Sequence, residues 1–251
     1  MPRESAAARR ERARRIDAAL AAAYPDAACA LHHRSAFQLL VATILSAQCT
    51  DKKVNEVTPA LFQRFPDASV LAQADPAEVE RLIQPTGFFR QKTRSLLAVA
   101  HDLVERFGGR VPRTLEELTT LHGVGRKTAN VVLGNAFEVP GLTVDTHMTR
   151  VNHRLGLTAH EDPAKIERDL MELIPEAHWT LYSHRVIHHG RVCCDARRPQ
   201  CERCPLRALC PWPASAARRA SDSAARRRPA RGAKPVAAPA RGPRSARRRR
   251  A

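Results

Sequence analysis

Leu121-His122-Gly123-Val124-Gly125-Arg126-Lys127-Thr128-Ala129-Asn130 is the stretch on which the fold turns. Leu115 and Leu118 precede it at helical spacing and Val131, Val132 and Leu133 follow it, so it reads as helix, tight glycine turn, helix. Two glycines let the backbone turn sharply and bring amide N–H groups close to a ligand. The start of the second helix adds unsatisfied N–H groups of its own, making an anion site suited to a phosphate. Arg126 and Lys127 then stand in the first turn of a helix, against the positive end of its dipole, a placement unfavourable by roughly a few tenths of a kcal/mol. A bound phosphodiester would offset this, and before it arrives the same field favours the neutral, nucleophilic form of the Lys127 amine. The same residues also fit an ordinary surface lysine on a helix–turn–helix with no DNA role.

Outward from this hairpin the chain reads as all-α. Between Ser35 and Gln48 the residues Phe37, Leu40, Val41, Ile44 and Leu45 recur at three- and four-residue intervals and share one helix face. Leu96, Ala100, Leu103, Val104 and Phe107 repeat the pattern, as do Ile166, Leu170, Leu173 and Ile174, the last set after a helix start at Asp162-Pro163. No run of alternating strand residues, βαβ spacing or multi-unit repeat is visible. Aromatics are only 4% of a chain that is 43% hydrophobic, which fits packed helices better than sheet. Asp145, in Thr143-Val144-Asp145-Thr146-His147, precedes a further helix and is placed to cap it. It could equally set a carboxylate near the lysine, to deprotonate it or to stabilise positive charge at a sugar carbon.

Cys194, Cys201, Cys204 and Cys210 follow the spacing C-x6-C-x2-C-x5-C, a compact loop in which four thiolates can converge on one inorganic centre. Zinc ribbons usually need two close pairs, and a single C-x2-C with a looser ligand on either side leans toward a four-iron cluster. Arg197, Arg198 and Arg203 place cations between these cysteines, where they can offset a negative cluster or meet phosphate. Cys193 is an adjacent spare, and Cys29 and Cys49 are expected to be buried thiols.

The net charge of +17 points to a polyanionic partner, but it is concentrated at the ends. Residues 214–251 carry +12 and residues 1–15 carry +4, leaving +1 for everything between. Residues 1–15 are read as a basic arm and residues 214–251, almost wholly Ala, Arg, Pro, Ser and Gly, as a disordered basic tail. No apolar run is long enough to cross a bilayer and none resembles a secretory core, so no membrane association is expected and the protein should be cytoplasmic, with the nucleoid.

With these residues in view the chain resembles the endonuclease III family of helix–hairpin–helix DNA glycosylases over residues 16–212. The resemblance rests on Leu45-Ser46-Ala47-Gln48 with Thr50-Asp51, on Gly123 to Asn130, on Val144-Asp145-Thr146-His147, on His189-Gly190-Arg191 and on the four cysteines in order. It implies a two-lobed fold: a six-helix lobe over 29–139 with the hairpin, and a second lobe of 16–28 plus 140–213 with a [4Fe-4S] cluster on Cys194, Cys201, Cys204 and Cys210. It implies a monomer that binds double-stranded DNA containing damaged pyrimidines or abasic sites in the cleft between the lobes. Carried over, Lys127 is the nucleophile at C1′ and Asp145 its catalytic carboxylate. Gly123, Val124, Gly125, Arg126 and Arg198 would contact DNA, and Gln48 and Phe88 match positions that fill the gap left by an extruded nucleotide. His122 departs from the family, standing where proline is usual, and Phe88 stands where an aliphatic wedge is common. Two rival readings share these features. An adenine glycosylase of the A/G mismatch type needs a carboxylate in the helix before Gln48, and Phe37 to Thr50 has none. A noncatalytic helix–hairpin–helix DNA-binding protein has no use for both Lys127 and Asp145.

Overall fold

The computed structural model of the protein describes residues 4–213, so the expected basic tail lies outside the described residues. Eleven α-helices, joined by turns and four short 3-10 segments, make up the described residues, with no strand among them. They are α1 (Ala6–Ala23), α2 (Ala36–Leu45), α3 (Asp51–Arg64), α4 (Ala68–Ala72), α5 (Pro76–Ile83), α6 (Phe89–Phe107), α7 (Leu115–Thr119), α8 (Arg126–Ala136), α9 (Thr146–Leu155), α10 (Pro163–Met171) and α11 (Trp179–Val192).

Local chemistry accounts for most of the boundaries. Eight of these helices begin on a Ser, Thr or Asp whose side chain accepts a hydrogen bond from an amide of the first turn, as Ser35 does from Gln38 and Asp162 from Lys165. At α7 the cap is reciprocal in composition, with Thr114 accepting from the Glu117 amide while its hydroxyl donates to the Glu117 carboxylate. The three helices without such a cap are α6, which follows Phe88, α8, which follows Gly125, and α11, which follows His178. Helix α2 stops at Leu45, short of the Gln48 that periodicity suggested. The Ser46 hydroxyl donates back to the Thr43 carbonyl, and Gln48 takes a left-handed φ of 51° that no helix can continue.

Two hydrophobic cores result. The first runs from Leu31 to Leu133 and joins α2 through α8, with Leu39, Leu40, Leu96 and Leu103 fully buried. The second gathers Ala13, Ile16 and Leu20 of α1 with Val151, Leu155, Ile166, Leu170, Tyr182 and Val186 of α9 to α11, and closes on Leu206 of the cysteine loop. Burying side chains of this size is worth roughly 1.5–3 kcal/mol each, so the chain must cross from one core to the other twice to satisfy both. The stretch read as a basic arm is corrected here. Residues from Ala6 onward are the first half of α1, where Ala13 is buried and Arg9 and Arg12 donate to the carbonyls of Leu157 and Leu155 at 2.6 Å.

The cores touch where α8 meets the second lobe. A Cβ on Gly134, in the last turn of α8, would lie 2.5 Å from the Thr180 hydroxyl of α11, which explains a glycine at an otherwise costly helix position.

Candidate active site and cysteine loop

Helices α7 and α8 bury Leu118 and Ala129, and the intervening turn buries Leu121 and Val124. Gly123 has a φ of 71°, a conformation that a side chain resists, while Gly125 is extended with φ −86° and ψ 170°. The two glycines therefore do different work. Gly123 makes the turn; Gly125 starts α8 with no side-chain acceptor on the first amides, which leaves them for an anion. Buried Val124 anchors the turn on the first core.

Arg126 departs from the expectation of a phosphate partner. Its Nε and Nη2 meet the Glu167 carboxylate of α10 at 2.5 and 3.0 Å, and Asn130 Nδ2 adds a bond to the same carboxylate at 3.0 Å. The cation at the helix start is thus offset from within the protein, and by a residue of the other lobe.

Lys127 is exposed, and it lines a cleft of about 600 Å³ that also takes in Asp145. The walls come from both sides: Thr43, Ser46, Asp51 and Val131 from the first lobe, Tyr24, Thr143, His184 and His188 from the second. Asp145 caps α9, its Oδ1 accepting the Met148 amide at 2.8 Å, so the cap and a carboxylate in the cleft coexist. Thr143, two residues before it, is fixed by a 3.0 Å bond from its amide to the Ser183 hydroxyl. Burial pushes the neighbouring His147 below its usual range, against the opposing pull of the Asp145 carboxylate. Burial likewise lowers His184, whose Nε2 lies 2.7 Å from Asn135 Oδ1. At the mouth of the cleft Arg191 and Asp51 pair at 2.9 Å across the lobes, and the Tyr24 and His188 rings meet edge to face with centroids 5.0 Å apart.

Gln48 and Phe88 lie in exposed turns of the first lobe, and both hold left-handed backbone, with φ of 51° and 46°. Phe88 is 62% exposed, which is unusual for so large an apolar side chain. Non-glycine residues in this region cost about 1–3 kcal/mol each and persist where surroundings enforce them, commonly at functional sites.

Cys194, Cys201, Cys204 and Cys210 line one small cavity behind α9 and α11. The donor set fits a thiolate-bound cluster. Arg154 donates to the Cys194 Sγ at 3.2 Å, and its guanidinium also takes the carbonyls of Asp195 and Ala196, so a cation already faces the sulfurs. A second grouping overlaps this one, since ligand atoms of His189, Cys193 and Cys204 lie within 4.8 Å of one another. His189 holds the Tyr24 hydroxyl with its Nδ1 at 2.8 Å and has Nε2 3.7 Å from Cys204 Sγ. Arg198 is exposed on the same loop, and its amide, like that of Arg197, donates to Asp195. Cys29 and Cys49 are only half-buried, contrary to expectation, and Cys29 lines the main cleft.

Tyr24, Cys29, Thr43, His184 and His188 are parts of the cleft wall that sequence reasoning missed. None sits in a motif; each reaches the cleft only because two lobes from distant parts of the chain face each other.

Residues 41–176 match the HhH-GPD superfamily base excision DNA repair protein model, and residues 194–210 match the iron-sulfur binding domain of endonuclease III. The chain is similar to endonuclease III of Synechocystis sp., with 54% identity over 82% of this chain and 94% of the relative. Among solved structures it is similar to a non-covalent endonuclease III–DNA complex and to a trapped endonuclease III–DNA covalent intermediate. Each is 41% identical with a TM-score of 0.79, covering 83% of this chain and 98% of the other. The hairpin, the inter-lobe cleft and the cysteine loop are thus matched as one assembly, and the chain belongs to the endonuclease III family of helix–hairpin–helix base-excision DNA repair proteins.

Proposed function

We propose that the protein binds DNA and acts as a bifunctional base-excision enzyme, removing oxidised pyrimidines and cleaving the resulting abasic site. The observation that carries this reading is that Lys127 and Asp145, from different lobes, line the same cleft. The target C1′ is buried in a stacked duplex, so the damaged nucleotide is extruded into the cleft, with Gln48 and Phe88 filling the space it leaves. The amides of Gly123 and Gly125, with the uncapped amides at the start of α8, hold a backbone phosphate beside the cleft, while the Val124 amide donates to the Leu121 carbonyl and fixes the turn. Arg126 contributes chiefly by fixing the hairpin to α10 through Glu167.

Lys127 Nζ, as the neutral amine, attacks C1′ and the base departs with the glycosidic electron pair. Asp145 accepts a proton from the lysine or stabilises positive charge developing at the sugar. Loss of the ring oxygen from C1′ gives the iminium, which acidifies the C2′ proton. Removal of that proton expels the 3′ phosphate by β-elimination, and hydrolysis of the iminium frees Lys127.

Cys194, Cys201, Cys204 and Cys210 would hold the [4Fe-4S] cluster, which when bound cross-links the loop and shapes its DNA-facing side. The family match supports this set, since it begins on Cys194, ends on Cys210 and omits Cys193. Arg198 meets a phosphate from that loop. We place the lobe boundaries near residues 29 and 140, and we read the active form as a monomer acting in the cytoplasm on nucleoid DNA. No described helix is long and apolar enough to cross a membrane.

Borohydride trapping on a duplex containing one thymine glycol tests the reading. A covalent adduct with the wild type that is absent from Lys127→Gln is expected. An adduct of equal yield from both, or none from the wild type, overturns it.

A further inference from the structure

Lys92 is a buried cation to which the chemistry above gives no task. It lies in the first turn of α6 and is 5% exposed. Among the described residues no carboxylate pairs with it; its Nζ donates instead to the carbonyl oxygens of Leu45 and Thr86, each at 2.8 Å. Taking an ammonium out of water for two neutral acceptors is costly, whereas an apolar side chain of similar length would fill the same space but leave both carbonyls without this donor. What the ammonium adds is geometric. It holds two carbonyls from different segments within twice 2.8 Å of each other.

The identity of those segments gives the arrangement its meaning. Leu45 is the last residue of α2, three before Gln48; Thr86 ends a 3-10 turn, two before Phe88. Both turns then enter left-handed backbone at an exposed side chain. Such conformations last only where the surroundings over-determine them, and Lys92 is a constraint common to both.

We propose that Lys92 is a positioning residue that ties the Gln48 turn and the Phe88 turn into one rigid two-pronged wedge, so that both side chains enter the base stack together. The proposal rests on the DNA role given above to Gln48 and Phe88. Ionic attraction to DNA is not involved, because the ammonium is buried. With the tie removed, each turn relaxes separately and base extrusion suffers, whereas an already unstacked sugar still reaches Lys127.

The test uses full-length Lys92→Met and Lys92→Arg. Wedge entry is read without chemistry, by the fluorescence of 2-aminopurine opposite an uncleavable tetrahydrofuran site in duplex DNA at saturating protein. Lys92→Met is expected to lower the fluorescence rise by about threefold or more, Lys92→Arg to restore most of it, and Gln48→Ala to change little further once Lys92 is Met. In parallel, the ratio of borohydride trapping on duplex thymine glycol to that on a single-stranded abasic site should fall about tenfold in Lys92→Met. An unchanged fluorescence rise, or a loss of trapping in equal proportion on both substrates, overturns the proposal. No rise with the wild type removes the wedge role and this proposal with it. A rise without any borohydride adduct removes the lyase reading and leaves the wedge intact. If circular dichroism shows Lys92→Met unfolded, Lys92→Gln, a neutral donor, takes its place in the same measurements.

Discussion

Arg126, the residue before the candidate nucleophile, is held by Glu167 of the opposite lobe through two bonds of 2.5 and 3.0 Å. Glu167 is 5% exposed and also accepts from Asn130, whose amide reaches the Leu142 carbonyl at 2.8 Å as well. One carboxylate thus ties the start of α8 to the segment leading toward Asp145. Removing it leaves Asn130 with only its bond to Leu142 and frees one side of Arg126, but Arg126 is half exposed and regains water.

Glu167→Gln is therefore expected to cost about 1–3 kcal/mol of stability, the range for losing charge-assisted bonds around a mostly buried group. It should also lower kcat while leaving duplex affinity nearly unchanged, since Arg126 is released toward solvent and phosphate. Chemical denaturation alongside single-turnover kinetics checks both. A normal kcat would separate this contact from the alignment of Lys127 with Asp145.

Asp145 allows a clean separation of capping from catalysis. Asparagine caps a helix about as well as aspartate, so Asp145→Asn should keep the bond from the Met148 amide and the melting temperature. Its single-turnover rate on thymine glycol should nevertheless fall by on the order of 10²-fold or more, as expected when a positioned acid–base group is lost. A rate within a few-fold of wild type would leave Asp145 only its cap.

The hairpin, the capped helices and the cysteine spacing were legible because each is local: a glycine turn, a Ser, Thr or Asp before an apolar period, four thiols in seventeen residues. Helices α6, α8 and α11 depart from the capping rule at Phe88, Gly125 and His178, and the first two of these are among the predicted DNA contacts. The remainder was illegible because it depends on long-range partners. Nothing near Arg126 announces Glu167, and nothing near Lys92 announces Leu45. The departure at His122 also finds its explanation at a distance. Its amide, which proline would lack, donates to Asp102 of α6 at 2.8 Å, so a hydrogen bond secures the turn where a ring would have stiffened it.

His184 and His147 set an expectation for pH. Burial holds both below the ordinary value of 6.5, so in acid the unfolded chain binds more protons than the folded one. Their contribution is fully present above pH 6.5 and is lost as the pH falls through their lowered values. The melting temperature should accordingly decline on acidification below that point, and His184→Gln should make the decline shallower. Parallel declines in the two proteins would assign the pH dependence to other groups.

The overlap of two groupings at the cysteine loop is settled by paired substitutions. Ligand atoms of His189, Cys193 and Cys204 lie within 4.8 Å of one another, yet Cys193 is buried at the end of α11 with its Sγ 3.8 Å from the Gln200 carbonyl, and His189 is engaged by Tyr24. Those contacts suit a supporting role. Cys194, by contrast, has an arginine donating to its sulfur, the arrangement that stabilises a thiolate ligand. Cys194→Ser should therefore lose the broad visible absorption of a four-iron centre and most acid-labile sulfide, whereas Cys193→Ser should keep both. Iron and sulfide analysis of the two variants, purified without air, decides between them. Loss of the cluster from Cys193→Ser with retention in Cys194→Ser would move the fourth ligand by one residue and make Arg154 a partner of the wrong sulfur.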